Sequence, residues 1–502
     1  MNFFARKSAR DASAFKGPLS SFSSHEPWSA KARSGRLSYL AFRTATHEGP
    51  WLPRAVEGEI PRDICGVLLR NSPGQKENFD VPLGHLFDGD AYLTALRFEN
   101  GRLSGRSRFL ETRERQHERH CGRMRYHEFG TRCPSRALGV KSPPSVNVFA
   151  MANQNFALSE GAPPVAIDAE TLDCLGSCDF GKSWPARTTF TAHPKRDPVT
   201  GDVFAYGLKP GLPTELLLGR LPAGRDEFEI IARLRVGGFY PVHDFMITKS
   251  YIIVALPPVH INLWGILRNR SSIAENLVAE GDRPLRIIVA RKDGSGVPIT
   301  IESHPAHMIF HHANAVESED GKTIRLVSME IEAAAGFRML EGWGREAGLS
   351  QPKSQMTEFS IDLETKTLSR ATLTEAALVE FPAVDPRTLG RSMETIYALR
   401  TSDAPGDPLA FDTLTSWDGR RFREIRAAQG QMLGEPVVLA DKAGKSWIAH
   451  LGYDSDHDES FVDIREPVDL RLAARAWFGF RIPLGFHGCF IPDGDEQTPL
   501  RH

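Results

Sequence analysis

The sequence predicts an all-β fold of the propeller type, on three observations. Its 502 residues carry 43 Gly and 34 Pro dispersed along the chain, so turns are frequent and long helices few. Short apolar runs of roughly four to eight residues, each closed by Gly, Pro, Asp or Asn, recur from about residue 51 to 490. Histidines in unusual local contexts are spread from His193 to His487, and such distant residues share a site only where the architecture returns strands to a common axis. No WD or kelch signature is present, so repeats do not give a blade number.

Taken in order, residues 1–45 are rich in Ser, Lys and Arg and lack the apolar core of a secretory signal. They read as a disordered tail, with the composition of an organellar transit peptide as the alternative. Residues 46–502 read as one propeller domain with cap insertions. AVEGEIPRDICGVLLRNSPG forms a strand pair, and HLFDGDAYLTALRFENGRL an alternating run that turns at Asn100-Gly101. Residues 106–141, with His117, His120 and His127, alternate Arg and Glu and read as a solvated helix-and-loop excursion.

Beyond Pro144 the strand pattern is interrupted once, by YIIVALPPVHINLWGILRNRSSIAENLVAEGD. This stretch is either a core strand and helix or, over residues 251–278, an apolar surface with basic edges that dips into a membrane interface. No run of about 18 apolar residues is available for a spanning helix. A formal charge of −2 gives no footprint for nucleic acid. The six cysteines form no CxxC pair or framework spacing and read as reduced thiols.

Chemistry concentrates in His193 (FTAHPKRDPVTGD), His243 (PVHDFMIT), His311 (MIFHHANAVE) and His487 (PLGFHGCF). Zinc fingers and HExxH enzymes draw ligands from one local element, and these four do not. Imidazoles without thiolate or carboxylate suit a borderline divalent metal such as iron(II). His304, His307 and His312 are expected to be bystanders on a strand, and His85 and His260 structural groups. Glu160, Glu380 and Glu435 stand in apolar strand contexts; each is a candidate to hold the second nitrogen of a ligating histidine, or else a structural ion pair.

In these pieces the chain resembles the carotenoid cleavage oxygenases, a family that includes bacterial apocarotenoid oxygenases, plant carotenoid dioxygenases and stilbene-cleaving enzymes. GEIPRDICGVLLRNSPG, HLFDGDAYLTALRF, FTAHPKRDPVTGDVFAYG, VHDFMIT, FHHANAVE, VEFPAVDPRTLGR, GEPVV and PLGFHGCF carry the resemblance in the family's order. It implies a seven-bladed β-propeller with a helical and loop cap over an Fe(II) on the axis, one ion per subunit. It implies His193, His243, His311 and His487 as ligands, Glu160, Glu380 and Glu435 as their hydrogen-bond partners, and Phe87, Asp88 and Gly89 as a structural stretch. RNSPGQ, Ala91-Tyr92 and KAGKSWIAHL depart from the family pattern without touching a ligand position.

The implied activity is scission of a C=C bond by O2 into two carbonyl products, with no catalytic residue beyond the metal centre. A wall rich in Phe, of which the chain has 29 against 8 Tyr and 8 Trp, suits an apolar polyene. Ser159 stands where the stilbene-cleaving branch usually has a lysine, which favours a carotenoid or apocarotenoid over a phenolic stilbene. The membrane-anchoring cysteine motif of the retinoid isomerases is missing. A non-catalytic binding propeller and a zinc hydrolase are the alternatives from other classes. The expected location is the cytoplasm, peripheral to a membrane through residues 251–278, or an organelle if the N-terminal stretch is a transit peptide.

Overall fold

In the computed structural model the described residues are 16–18, 36–268, 271–281, 283–333, 335–337, 354–374, 378–401, 407, 409–440 and 444–494. Seven antiparallel sheets of four or more strands form the blades of a propeller. Blade I is Gly66–Pro73, Ala91–Glu99 and Arg102–Phe109, edged by Gly49–Trp51. Blades II to VI follow in chain order and begin with Asn147–Met151, Lys195–Arg196, Phe245–Ile247, His307–Glu317 and Val379–Ala383. Blade VII runs from Gln431–Leu433 to Leu472–Trp477.

The ring closes twice. Gly488–Pro492 returns to pair inside Gly66–Pro73, in the register Gly488↔Arg70, and Ala55–Gly58 adds to the outside of blade VII. Each closure joins the two ends of the chain, so the propeller cannot splay without losing a whole ladder of backbone hydrogen bonds.

Local chemistry explains the elements. Asn100 and Gly101, with φ of 51° and 76°, form the two-residue turn expected between Ala91–Glu99 and Arg102–Phe109, because only such primed turns match the strand twist. Alternate residues of Arg102–Phe109 are buried, whereas Gly66–Pro73 is buried throughout, as an interior strand must be. Between blades the packing is aromatic and aliphatic, with Tyr92, Phe98, Tyr453 and Phe461 fully buried in one cluster.

Two expectations need adjustment. Most of the expected tail, residues 1–45, lies outside the described residues. However, Leu37–Ala41 is a helix that buries Ala41 and Phe42 in the core, so the packed body includes residues before 46.

The 106–141 excursion does hold a helix, Arg113–Cys121, but it is not simply solvated. Lys141 is 3% exposed, and its Nζ lies 2.9 Å from Asp90, 2.9 Å from Glu118 and 2.7 Å from Glu128. The Arg/Glu alternation hid this, because Glu118 faces inward to a lysine supplied by a distant loop.

The interrupting stretch holds the core strand and the helix of the first alternative, and the helix leaves part of its apolar surface exposed. Tyr251–Leu256 is a blade IV strand with a buried face, and Leu263–Leu267 is a short helix that exposes Trp264 (64%) and Leu267 (73%). Among the described residues no helix is long and apolar enough to cross a membrane. The cysteines are all free thiols.

Candidate metal centre

His193, His243 and His487 stand within two residues of the innermost strands of blades III, IV and I, the last being Gly488–Pro492, and His311 lies inside the innermost strand of blade V. They therefore reach the axis at one end of the propeller. Their ligating nitrogens all lie within 4.8 Å of one another. The Nε2 atoms of His193 and His243 are 3.2 Å apart, those of His243 and His311 3.1 Å, and those of His311 and His487 3.2 Å.

The strand pairing of His307–Glu317 slips by one residue between Ile309 and His312, a β-bulge that re-aims His311. Its neighbour His312 points away and bonds Ser328 Oγ at 2.7 Å, and His307 lies 3.2 Å from Glu330. His260 lies 3.1 Å from Glu280, and the buried His85 accepts the Phe87 N–H at Nδ1.

The three glutamates are brought to the same centre. His311 Nδ1–H donates to Glu380 Oε2 at 2.6 Å, and His487 Nδ1–H to Glu435 Oε1 at 2.7 Å. His243 Nδ1 is 2.6 Å from Glu160 Oε1. Among the described residues His193 has no carboxylate; its backbone N–H is held by Thr191 Oγ1 at 3.0 Å.

Burial holds His193 and His311 well below the usual histidine range, so both rings are neutral near pH 7. For His243 burial works the same way, but the Glu160 carboxylate beside it prevails and raises the pKa. Burial drives Glu380 well above the carboxylate range, whereas Glu435 is lowered because His487 and Arg70 outweigh its burial.

This donor set fits a metal ion. With the Nδ1 atoms of His243, His311 and His487 held against carboxylates, their Nε2 lone pairs face one another, a repulsive arrangement unless a cation lies between them. Donors held about 2.1 Å from one ion at right angles stand about 3 Å apart, close to the spacing found.

A cavity opens beside the cluster, walled by Phe42, Phe87, Phe310, Phe381, Phe411 and Phe486, with His243, His311 and His487 on its floor. Phe87 packs edge-on against Phe129 and Phe486, each at 5.4 Å. Asp88 fixes that wall by accepting from Gly130 N at 2.8 Å, Thr131 Oγ1 at 2.6 Å and His85 N at 3.1 Å, which gives the FDG stretch its structural work.

Sequence reading missed Phe381. A second bulge, between Glu380 and Ala383, turns it to φ 56° and sets its ring 5.6 Å from those of His311 and His487. It also missed Arg70, 3% exposed, whose Nη1 donates to Glu435 at 2.7 Å. The only sequence signal for Arg70 was its place in the RNSPG run.

Comparison with known proteins agrees with this construction. The family model described as retinal pigment epithelial membrane protein matches residues 42–492. The apocarotenoid-15,15'-oxygenase of Synechocystis is 29% identical over 89% of this chain and 94% of its own. The resveratrol cleavage oxygenase 1 of Aspergillus fumigatus is 26% identical over 89% and 94%. The crystal structure of cobalt-substituted Synechocystis ACO superimposes with a TM-score of 0.82 at 25% identity, covering 91% of this chain and 98% of that one. The match across both closures of the ring, and not only at the histidines, means that this chain belongs to the retinal pigment epithelial membrane protein family, the carotenoid cleavage oxygenases.

Proposed function

We propose that this protein is an iron(II)-dependent dioxygenase that splits one C=C bond of a carotenoid or apocarotenoid with O2 into two carbonyl products. His193, His243, His311 and His487 would hold one ion per subunit, and Glu160, Glu380 and Glu435 would orient three of them. The observation that carries the reading is an all-imidazole cluster forming the floor of a cavity walled by phenylalanine. Iron(II) bound there would supply the redox-active centre at which O2 reacts with the alkene.

The chain's own part is positioning. The carboxylates fix Nδ1–H of His243, His311 and His487 and so turn those three Nε2 lone pairs inward. The phenylalanine walls hold an apolar chain in one orientation by contact and keep water from reactive species. O2 supplies both oxygen atoms, so the balance C=C + O2 → 2 C=O requires no external electron donor.

Ser159 favours a polyene over a hydroxystilbene. It is buried, with its hydroxyl 3.2 Å from that of Ser142, and it offers no cation to a phenolate. Trp264 and Leu267 on their short helix, beside exposed Arg268, suit contact with a membrane surface from which such a substrate is taken.

The test is chromatography of products after Fe(II)-loaded protein meets a long apocarotenal and, separately, a hydroxystilbene in air. Two shorter carbonyl products from the apocarotenal are expected. Cleavage of the stilbene alone would overturn the substrate class, and turnover of neither would overturn the reaction.

A further inference from the structure

The three carboxylates around the histidines are not equivalent. Among the described residues neither Glu160 nor Glu380 meets a Lys or Arg, and Glu380 Oε1 is buried with no hydrogen bond. Glu435 stands between two partners: His487 Nδ1–H donates to its Oε1, and Arg70 Nη1 donates to its Oε2 at 2.7 Å. The other arm of the same guanidinium, Nη2, donates to the Phe486 carbonyl at 2.9 Å.

One rigid fork therefore grips both the carboxylate that orients the His487 ring and the peptide that carries it. The approach leaves no slack. Gly488 pairs with Arg70, and a Cβ on Gly488 would stand 2.0 Å from the Leu69 carbonyl oxygen and 2.8 Å from Arg70 Cδ.

As a strand fastener alone, this pair is a poor choice. Taking two charges out of water costs about as much as their attraction returns, and an apolar pair would close the blade equally well. Its geometry suits a different task, because a planar fork sets direction in a way that an ammonium or an apolar contact cannot.

We propose that Arg70 is a positioning residue of the metal centre: it fixes Glu435 and the Phe486–His487 peptide so that the His487 imidazole is presented to the ion. The proposal rests on the reading of His487 as a ligand.

The test is the Co(II) dissociation constant, by chelator competition, of wild type, Arg70→Met, Arg70→Lys, Glu435→Gln and the double variant, with melting of the metal-free proteins alongside. Arg70→Met should weaken binding about 10- to 100-fold. The double variant should bind no more weakly than the weaker single one, since both changes act through one contact.

Arg97→Met supplies the control. Arg97 pins the end of the same strand through Asp493, 2.6 Å away, without touching the site, and its loss should change the constant less than twofold.

Arg70→Met within twofold of wild type would overturn the proposal, as would single effects that multiply in the double variant or an equal loss in Arg97→Met. If Arg70→Met does not fold, Arg70→Lys decides: several-fold weaker binding is expected, and binding within twofold of wild type overturns the idea. Failure of wild type to bind Co(II) would instead sink the metal centre itself.

Discussion

Phe381 combines a strained backbone with a place over the histidines, and two substitutions separate those properties. Its φ of 56° lies in the left-handed region, which costs a residue with a Cβ about 1–2 kcal/mol. The strain arises because the bulge that points Glu380 at His311 leaves the next residue no other path. Phe381→Ala and Phe381→Gly both lose the ring contacts with His311, His487 and, at 5.4 Å, Phe411. That loss, below the roughly 3–5 kcal/mol of a fully buried aromatic, cancels between them.

Only the glycine variant also relieves the strain, while adding about 0.5–1 kcal/mol of chain entropy to the unfolded state. Glycine should therefore be the more stable replacement by about 0.5–1 kcal/mol, the reverse of the order in an ordinary strand. Because a chain of 502 residues shifts its Tm by only about 1–2 °C per kcal/mol, urea midpoints of the two metal-free variants are the measurement. An alanine variant more stable than the glycine variant would refute the argument that φ at 381 is imposed by the site.

Glu380→Gln keeps an acceptor for His311 Nδ1–H but removes the ionisable carboxyl, so no negative charge can form there to balance a bound ion, and it should weaken Co(II) or Fe(II) binding about 10-fold; unchanged affinity by chelator competition would remove Glu380 from the centre. Burial, aided by the Lys76 charge, lowers His85 to about 3, so below its ordinary value of 6.5 the unfolded chain takes up a proton that the folded one refuses. Stability from this group is complete above about pH 6.5 and falls by about 1.4 kcal/mol per pH unit toward pH 3; His85→Gln should flatten urea-derived stability between pH 6 and 4 by that slope, and an unchanged slope would count against it. Lys141→Met leaves Glu118 and Glu128 without the cation they share with Asp90, which keeps Arg115 at 3.0 Å, and should cost about 3–5 kcal/mol, read as loss of soluble protein or a lower urea midpoint; a wild-type midpoint would show that Lys141 does not hold these acids in the fold.

What the sequence made legible was whatever is written locally. Turn punctuation marks the strands, and Asn100-Gly101 carries its own dihedral demand. The histidines stand out by their apolar context, although of the two between Phe310 and Ala313 only His311 faces the cluster, while His312 bonds Ser328. What stayed hidden depends on contacts between distant parts of the chain. Arg70 reads as one more strand residue until Gly488–Pro492 returns beside it. Glu118 reads as one of a helix's alternating charges until Lys141 arrives. Phe381 reads as an apolar strand residue, because a bulge is a mismatch between two strands and neither shows it alone. The number of blades came from the family resemblance and not from repeats, for a related reason: blade I has a fifth strand and blade VII borrows Ala55–Gly58, so no unit repeats at fixed length.

The distribution of polar groups over the ring explains why one histidine goes without a carboxylate. Each blade contributes one group to the centre: imidazoles from blades I, III, IV and V, carboxylates from II, VI and VII. Seven blades divided four to three must leave one imidazole unpaired. Glu380 and Glu435 serve histidines on adjacent blades, V and I. Glu160 on blade II reaches past blade III to His243 on blade IV, so His193, on the blade between them, is the one passed over. Its ring is instead crowded by its fellow histidines, with centroids 4.4 Å from His487 and 4.6 Å from His243. The orientation that a carboxylate gives the other three comes to His193 from the packing of the cluster itself, so the quartet holds its shape as a unit and not as four independent arms.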